Sequence, residues 1–253
     1  MEVSFVPGLP EFEPGDDLAA AIDERVTLEP DDIVCVASTV VSKVEGRERS
    51  LSGFEPGERA QEIAAGLDAA TGTETDPRFV EAVLGEAAEL LIERPFLLAK
   101  TEFGHVGVNA GIDRSNTGGA DLLFLPRDPE ASAQRLREGL SNSPGVVVTD
   151  TSGRPFRLGQ RGVALGWAGL AACRDWRGES DRDGRELEVT VEAVVDELAA
   201  AANLVSGEGA DGLPVVVIRD FEWGEHGRTD ELFRPEERDY VRAALREWDD
   251  RED

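Results

Sequence analysis

The stretch from 145 to 162 constrains the fold more than any other part of the chain. Pro144-Gly145 introduces Val146-Val147-Val148, a short β-branched run that reads as a buried strand. The run stops at Thr149-Asp150-Thr151, and Ser152-Gly153-Arg154-Pro155 then breaks it. A carboxylate and two hydroxyls are thereby placed where a buried strand emerges, followed by Arg154 and Arg157. Open α/β sheets bind ligands at the carboxyl ends of their strands. Carboxylate and hydroxyl oxygens suit a hard divalent cation, and arginines suit phosphate or carboxylate. The plainer reading is that Asp150 caps a turn and the arginines are surface charges. This stretch alone does not choose between them.

Other apolar runs read as strands at 2–6, 33–37, 96–99, 122–125 and 215–218. Gly162 to Cys173, apolar and glycine-rich, reads as a strand that another backbone approaches closely. Helical spacing is present over 16–25, 56–69 and 77–93. In the last of these Phe79, Val80, Val83, Leu84, Ala87, Leu90 and Leu91 form one stripe. Further helices are expected from Asp128-Pro129 to about Leu140, from an N-cap at Thr190 to Val205, and over 235–248. Strands and helices do not alternate strictly, which favours an α+β fold with mixed or antiparallel sheets and packed helices. No Pro/Ser/Gly-rich linker divides the chain, so 1–253 is expected to act as a single catalytic unit.

Charge narrows the partners. Asp and Glu number 53 against 26 Lys and Arg, a formal net charge of -27, which disfavours nucleic acid and anionic membranes. The acids are dispersed, and only Lys43 and Lys100 are lysines. That balance looks like adaptation to high cytoplasmic salt. Stability that rises with potassium chloride is the expected result, and stability independent of it would refute the idea. Two cysteines, Cys35 and Cys173, lie in apolar runs and read as buried thiols, in keeping with a reducing cytosol. With only two histidines, His105 and His226, a Cys/His zinc site is excluded, so any metal is held mainly by oxygen. No signal peptide, membrane span or lipidation motif is found, and a cytoplasmic protein is expected.

Four polar clusters end or interrupt apolar runs: Ser38-Thr39 with Lys43, Asn109 to Asn116 with Asp113, Asp150-Thr151, and Gly207-Glu208-Gly209. Brought together, they would supply carboxylates, hydroxyls, one ammonium and glycine-lined amides. A nucleoside triphosphate with divalent metal needs that set. No Walker A loop occurs, and neither histidine has partners for a Ser-His-Asp or Cys-His site. Taken alone, Asp113 reads as a turn residue, Glu208 as a solvated acid and His105 as a structural histidine. Lys43 is harder to dismiss. In a chain that nearly excludes lysine, one placed just past a buried strand suggests a compact ammonium at a phosphate.

Several motifs recur in one order: Gly8-Leu9-Pro10; Ser38-Thr39 with Lys43-Val44-Glu45-Gly46-Arg47; Asn109 to Asn116; Asp150-Thr151 with Gly153-Arg154-Pro155-Phe156-Arg157 and Gly159-Gln160; Asp175 with Gly178 and Asp183-Gly184; Asp196-Glu197-Leu198-Ala199 with Gly207-Glu208. This ordered set resembles the coenzyme F(420):L-glutamate ligase family, also called F(420)-0 gamma-glutamyl ligase, with the composition of a haloarchaeal member. The resemblance implies a GTP-dependent amide-forming ligase. Such an enzyme adds L-glutamate to coenzyme F(420)-0, then a second glutamate through the gamma-carboxylate, via an acyl phosphate. It implies manganese or magnesium, two ions in all, with potassium, and an unusual two-lobed α+β homodimer without the fused reductase-like domain of some relatives. By motif, Asp113 and Asp150 are expected to hold one divalent ion, with Thr151 and Glu208 near a second. Gly8, Leu9, Pro10, Glu11, Ser38, Thr39, Lys43 and Asn116 are expected to contact GTP. So is the loop of Ser206, Gly207, Gly209, Ala210, Asp211, Gly212 and Leu213. Arg154 and Arg157 are added as clamps for phosphate or the acidic substrate, beside Asp150 in the catalytic set. The competing readings are an amide ligase with another acidic acceptor and a non-enzymatic nucleotide- or metal-binding module.

Overall fold

A computed structural model describes residues 1–209 and 211–249. The elements begin with β1 (Glu2–Phe5), α1 (Leu18–Asp23), β2 (Ile33–Ala37), α2 (Ser38–Val44), β3 (Glu48–Arg49), α3 (Glu58–Thr71) and α4 (Pro77–Glu86). Next come β4 (Ala87–Ile92), β5 (Leu98–Thr101), β6 (Val106–Val108), β7 (Leu122–Leu123), α5 (Pro129–Gly139), β8 (Gly145–Arg154) and β9 (Arg157–Ala168). The chain continues through β10 (Cys173–Asp175), β11 (Val191–Glu192), α6 (Val194–Ser206), β12 (Val215–Arg219), β13 (Gly227–Thr229) and α7 (Tyr240–Asp249). The fold is α+β, as the unalternating pattern led us to expect. Two compact units are formed, the first from Met1–Gly46 and Pro126–Leu232, the second from Arg47–Leu125 and Phe233–Asp253.

The first unit is built on a five-stranded sheet of order β1-β12-β2-β8-β9. β2 and β8 run parallel, and every other neighbouring pair is antiparallel. Alternation along β8 explains why its valine run carries no polar residue. Val146 and Val148 join a core with Val34 and Val36 and with Leu18, Ile22, Val41 and Leu136 of α1, α2 and α5. Val147 faces the other way, into a core with Cys35, Val216 and residues Val195, Leu198 and Ala202 of α6. Both faces are covered, so both sets of side chains are apolar. Both cysteines are buried and free, and burial pushes the Cys35 thiol up to about 12. A small antiparallel sheet, β11-β10-β13, completes this unit.

Close backbone approach along Gly162–Cys173 is present. A Cβ on Gly162 would lie 2.3 Å from Ala199 O in α6, and one on Gly166 would lie 2.3 Å from Pro129 C in α5. Helices therefore press on both faces of β9 at glycines.

Local expectations differ from the structure in several places: the last helix, expected over 235–248, begins only at Tyr240, the strand expected at 96–99 is Leu98–Thr101, and three larger differences have a physical reason. Ser152 to Pro155 does not break the strand at Asp150: β8 continues to Arg154, turns at Pro155-Phe156 and returns as β9, an exposed hairpin arm. Pairing with β9 satisfies the backbone that the glycine and proline signals suggested was a loop. The stripe over 77–93 is one helix only to Glu86; Ala87–Ile92 is strand β4, paired to β5. Gly85 weakens the helix there, and ladder hydrogen bonds with β5 replace the lost helical ones. Thr190 does not cap α6, because Val191 and Glu192 pair with Asp175 and Arg174; the helix starts at Val194 after Ala193.

The second unit packs α3 and α4 over the β4-β5-β6 sheet around Ile63, Leu67, Phe79, Val83, Leu97 and Leu122. α7 is tied to β4 by Arg242 and Arg246, which both pair with Glu89. His105 lies buried here, and desolvation lowers its pKa to about 4. The native ring is thus neutral, whereas in the unfolded chain it protonates near 6.5. The folded value is depressed, so its contribution is complete above about pH 6.5 and is lost as pH falls towards 4. The loss amounts to at most about 3 kcal/mol. Denaturant unfolding at pH 7.5 and 4.5 should show a smaller drop in stability for His105→Gln than for the parent; equal drops would refute it.

Candidate active site

Sheet direction places the sequence clusters of the first unit. β1, β2 and β8 run the same way, while β12 runs against them and starts where they end. The last paired row is explicit: Val6 N donates to Val215 O at 2.9 Å, Ala37 N to Pro214 O at 2.8 Å, and Ala37 pairs with Thr149. Four segments consequently meet at one end of the sheet: Gly8 to Glu11 after β1, Ser38 to Lys43 after β2, Asp150-Thr151 on β8, and the loop 206–213 before β12. This is the strand-end location where open sheets hold ligands.

Ser38, buried at the start of α2, donates from Oγ to Asp150 Oδ1 at 3.3 Å. Asp150 is half-buried and follows a register shift at Val148/Thr149 in which the extra residue, Leu165, belongs to β9, so alternation along β8 continues through it. Thr149 Oγ1 donates to Val36 O at 3.4 Å. Alternation turns Asp150 to the α1/α2/α5 face, with Val146 and Val148. It turns Thr151 to the α6 face, with Val147. Thr39 is half-buried in the first turn of α2. Lys43, one turn on, pairs with the exposed Glu11 at 3.1 Å and so links α2 to the Gly8–Glu11 loop. That loop is also fixed by Arg25, whose Nε donates to Gly8 O at 2.6 Å, with Gly8 itself at φ +73°. Leu9 packs against the core, and Pro10 is exposed.

The loop 206–213 begins at Ser206, the last residue of α6. Gly207 (φ +71°) and Gly212 (φ +65°) turn the chain. Glu208 is exposed and accepts from Asn203 Nδ2 at 2.8 Å. Gly209 and Asp211 are exposed and Leu213 is half-buried; Ala210 lies outside the described residues.

Arg154 and Arg157 face each other near the hairpin tip, where Arg154 Nη1 donates to Gly159 O at 3.1 Å. Arg154 lies four positions along the strand from Asp150, roughly 13 Å. Neither arginine is thereby carried to the sheet end beside Asp150.

Asp113 and Asn116 belong to the second unit. Asp113 pairs with Leu123, and its Oδ1 accepts from Ser115 N and Oγ, both at 2.7 Å. The turn role read from sequence is therefore present. Asn116 is exposed in left-handed backbone at φ +52°.

Two residues of the first-unit site escaped the sequence reading. Arg25 gave no signal beyond a charge at a helix end. Asp196 was visible only as an acid within a motif. On α6 its Oδ1 accepts from Ala164 N at 2.9 Å, behind the β9 residue paired with Thr149, and burial raises its pKa.

Among the described residues, no three His, Cys, Asp or Glu side chains come together to hold an ion by themselves. The donors that do gather at the sheet end are oxygens: one or two carboxylates with hydroxyls. Such a set holds a hard cation only as a partial shell, the rest coming from water or phosphate oxygen. Also among the described residues, no helix is long and apolar enough to cross a membrane.

Comparison with known proteins agrees with the motif order. The model of the family described as "F420-0:Gamma-glutamyl ligase" matches residues 8–220. A Halobacterium salinarum protein named "Coenzyme F420:L-glutamate ligase" is 65% identical over 248 residues, covering 98% of each chain. Proteins of the same name from Archaeoglobus fulgidus and Methanosarcina mazei are 49% and 43% identical. Those alignments cover 97% of this chain and 98% and 96% of theirs.

Proposed function

The chain belongs to the F(420)-0 gamma-glutamyl ligase family, and from that premise we propose that it joins L-glutamate to coenzyme F(420)-0 using GTP. A free carboxylate is a poor electrophile. In the proposed route its oxygen attacks the γ-phosphorus, GDP departs, and the glutamate amine attacks the acyl carbon. The C–N bond forms, inorganic phosphate leaves and the amine gives up a proton. A second glutamate enters through the γ-carboxylate of the first.

The observation supporting this reading is the meeting, at one sheet end of the first unit, of three of the polar clusters, Ser38 to Lys43, Asp150-Thr151 and the loop around Gly207-Glu208, with the Gly8–Glu11 loop, and with Ser38 hydrogen-bonded to Asp150. Manganese or magnesium fits the donor chemistry: an all-oxygen, incomplete protein shell suits an ion that also binds nucleotide phosphates. Asp150 would hold one ion, and Thr151 and Glu208 a second on the α6 side. When bound, these ions neutralise charge developing on the transferred phosphoryl group. Ser38 orients Asp150 by its hydrogen bond. Lys43, now paired with an exposed glutamate, supplies an ammonium that phosphate can attract. The glycine turns at Gly8, Gly207 and Gly212 let backbone amides approach phosphate without side-chain obstruction. Asp113 and Asn116 keep the metal and GTP roles implied by their motif, each to be tested by its own substitution. Arg154 and Arg157 receive no step at Asp150. Potassium dependence, a homodimer and a cytoplasmic location belong to the same proposal.

The test is an incubation of the protein with F(420)-0, L-glutamate, GTP and manganese in molar potassium chloride. GDP and glutamylated product should appear in equal amounts for each glutamate added. GDP release only with another acidic acceptor would redirect the substrate assignment, and nucleotide binding without GDP release would reduce the protein to a binding module.

A further inference from the structure

α6 lies along β9, and two contacts give its direction. Asp196 Oδ1 accepts from Ala164 N at 2.9 Å, and Ala164 pairs with Thr149. One turn on, the backbone of Ala199 meets Gly162, which pairs with Thr151; a Cβ on Gly162 would lie 2.3 Å from Ala199 O. The helix therefore advances in the same sense as β8. Asn203, about 6 Å beyond Ala199 along the helix axis, lies past Thr151 towards the sheet end.

Asn203 holds the loop 206–213 at two consecutive residues. Its carbonyl accepts from Gly207 N at 2.9 Å, and its Nδ2 donates to Glu208 Oε1 at 2.8 Å. An ionised carboxylate only accepts, so the amide nitrogen is the end that faces it. Glu208 is exposed, and among the described residues its side chain makes no other hydrogen bond or ion pair. Closing the helix needs only the carbonyl at 203, which any residue supplies. The side-chain amide does something further: it fixes a carboxylate that would otherwise swing in solvent on a glycine-rich loop.

We infer that Asn203 is a positioning residue, tying Oε1 of Glu208 to the anchored end of α6 and leaving Oε2 to ligate a divalent ion on the Thr151 side. The inference rests on the ligase reading for the place of Glu208 in a metal shell. Partners that fix a ligand's orientation from outside the shell change metal affinity about tenfold to a hundredfold. A glutamate already held also loses less side-chain freedom when an ion binds.

The test titrates manganese into the intact protein with saturating GDP in molar potassium chloride, reading free manganese by electron paramagnetic resonance. Asn203→Ala should raise the Kd of the weaker ion about tenfold, with Tm within a few degrees of the parent. Asn203→Gln, which keeps an amide donor, should recover part of that loss. Glu208→Gln should weaken the same ion, and Asn203→Ala should add nothing in the Glu208→Gln background. In turnover, Asn203→Ala should need more manganese but approach the parent kcat once saturated. Manganese binding by Asn203→Ala like that of the parent, or a further loss in the Glu208→Gln background, would overturn this inference and leave the ligase reading standing. Binding by Glu208→Gln like that of the parent would remove Glu208 from the metal shell and overturn both that assignment and the role of Asn203.

Discussion

Asp150→Asn is expected to lower kcat about a hundredfold to a thousandfold, with Tm within a few degrees of the parent. The side chain keeps its volume and an Oδ1 that can still accept from Ser38. What disappears is the negative charge. In the proposed metal site a shell with one or two protein carboxylates would have nothing to replace it with, and losing one preorganised electrostatic group costs a rate factor of that order. The apparent requirement for manganese should rise in the same variant, which separates metal loss from simple distortion. Ser38→Ala should cost less, about tenfold, because it frees the carboxylate's orientation without removing its charge. Asp113→Asn, in the second unit, is the companion measurement. If Asp150→Asn turns over normally at ordinary manganese concentrations, Asp150 is not a metal ligand.

The largest stability effect is expected at Gly166. An alanine Cβ there would lie 2.3 Å from Pro129 C, 2.4 Å from Glu130 N and 2.5 Å from Pro129 O. All three are backbone atoms in the first turn of α5, so no flexible side chain can yield. Either the helix lifts from the sheet or β9 bends away from β8, and both open the core around Val146 and Val148. Gly166→Ala should therefore destabilise by at least about 3 kcal/mol, above the usual cost of overpacking. For a chain of this size Tm should fall by about 6–12 °C. Gly162→Ala, which meets Ala199 O at 2.3 Å, should behave alike. Gly153→Ala is the control: its Cβ position is open, and the change should stay within about 0.5 kcal/mol. A calorimetric scan in which Gly166→Ala melts with the parent would show that α5 is not seated where the structure puts it.

Much of this was legible because some patterns have one physical outcome. Three consecutive valines after Pro144-Gly145 can be buried on two faces or not at all, and they are buried on both. Asp128-Pro129 begins α5 with Asp128 Oδ1 accepting from Ala131 N, as the capping pattern required. Glycines spaced through an apolar strand announced that something approaches closely, although not that it was α5 and α6. The errors fall where local signals compete with pairing. Ala87, Leu90 and Leu91 fit a helical stripe as well as they fit β4, and only β5 alongside decides. Ser152-Gly153 is a turn signal that β9 overrides by completing the ladder. Arg25 was invisible for a related reason: its partner, Gly8 O, is 17 residues away and belongs to the backbone.

The sequence by itself determined the fold class, the doubly buried strand and, through motif order, the family. Periodicity, residue type and spacing are local properties, and each of these conclusions needs only local or ordered information. Tertiary structure alone decided that β1, β2 and β8 end together where β12 begins, that Asp150 and Thr151 face opposite sides of one sheet, and that Arg154 and Arg157 ride an arm away from it. The sheet end is a fact of strand direction and register between segments more than a hundred residues apart, whereas the arm is the local β8–β9 hairpin, where ladder pairing overrides the turn signal at Ser152-Gly153.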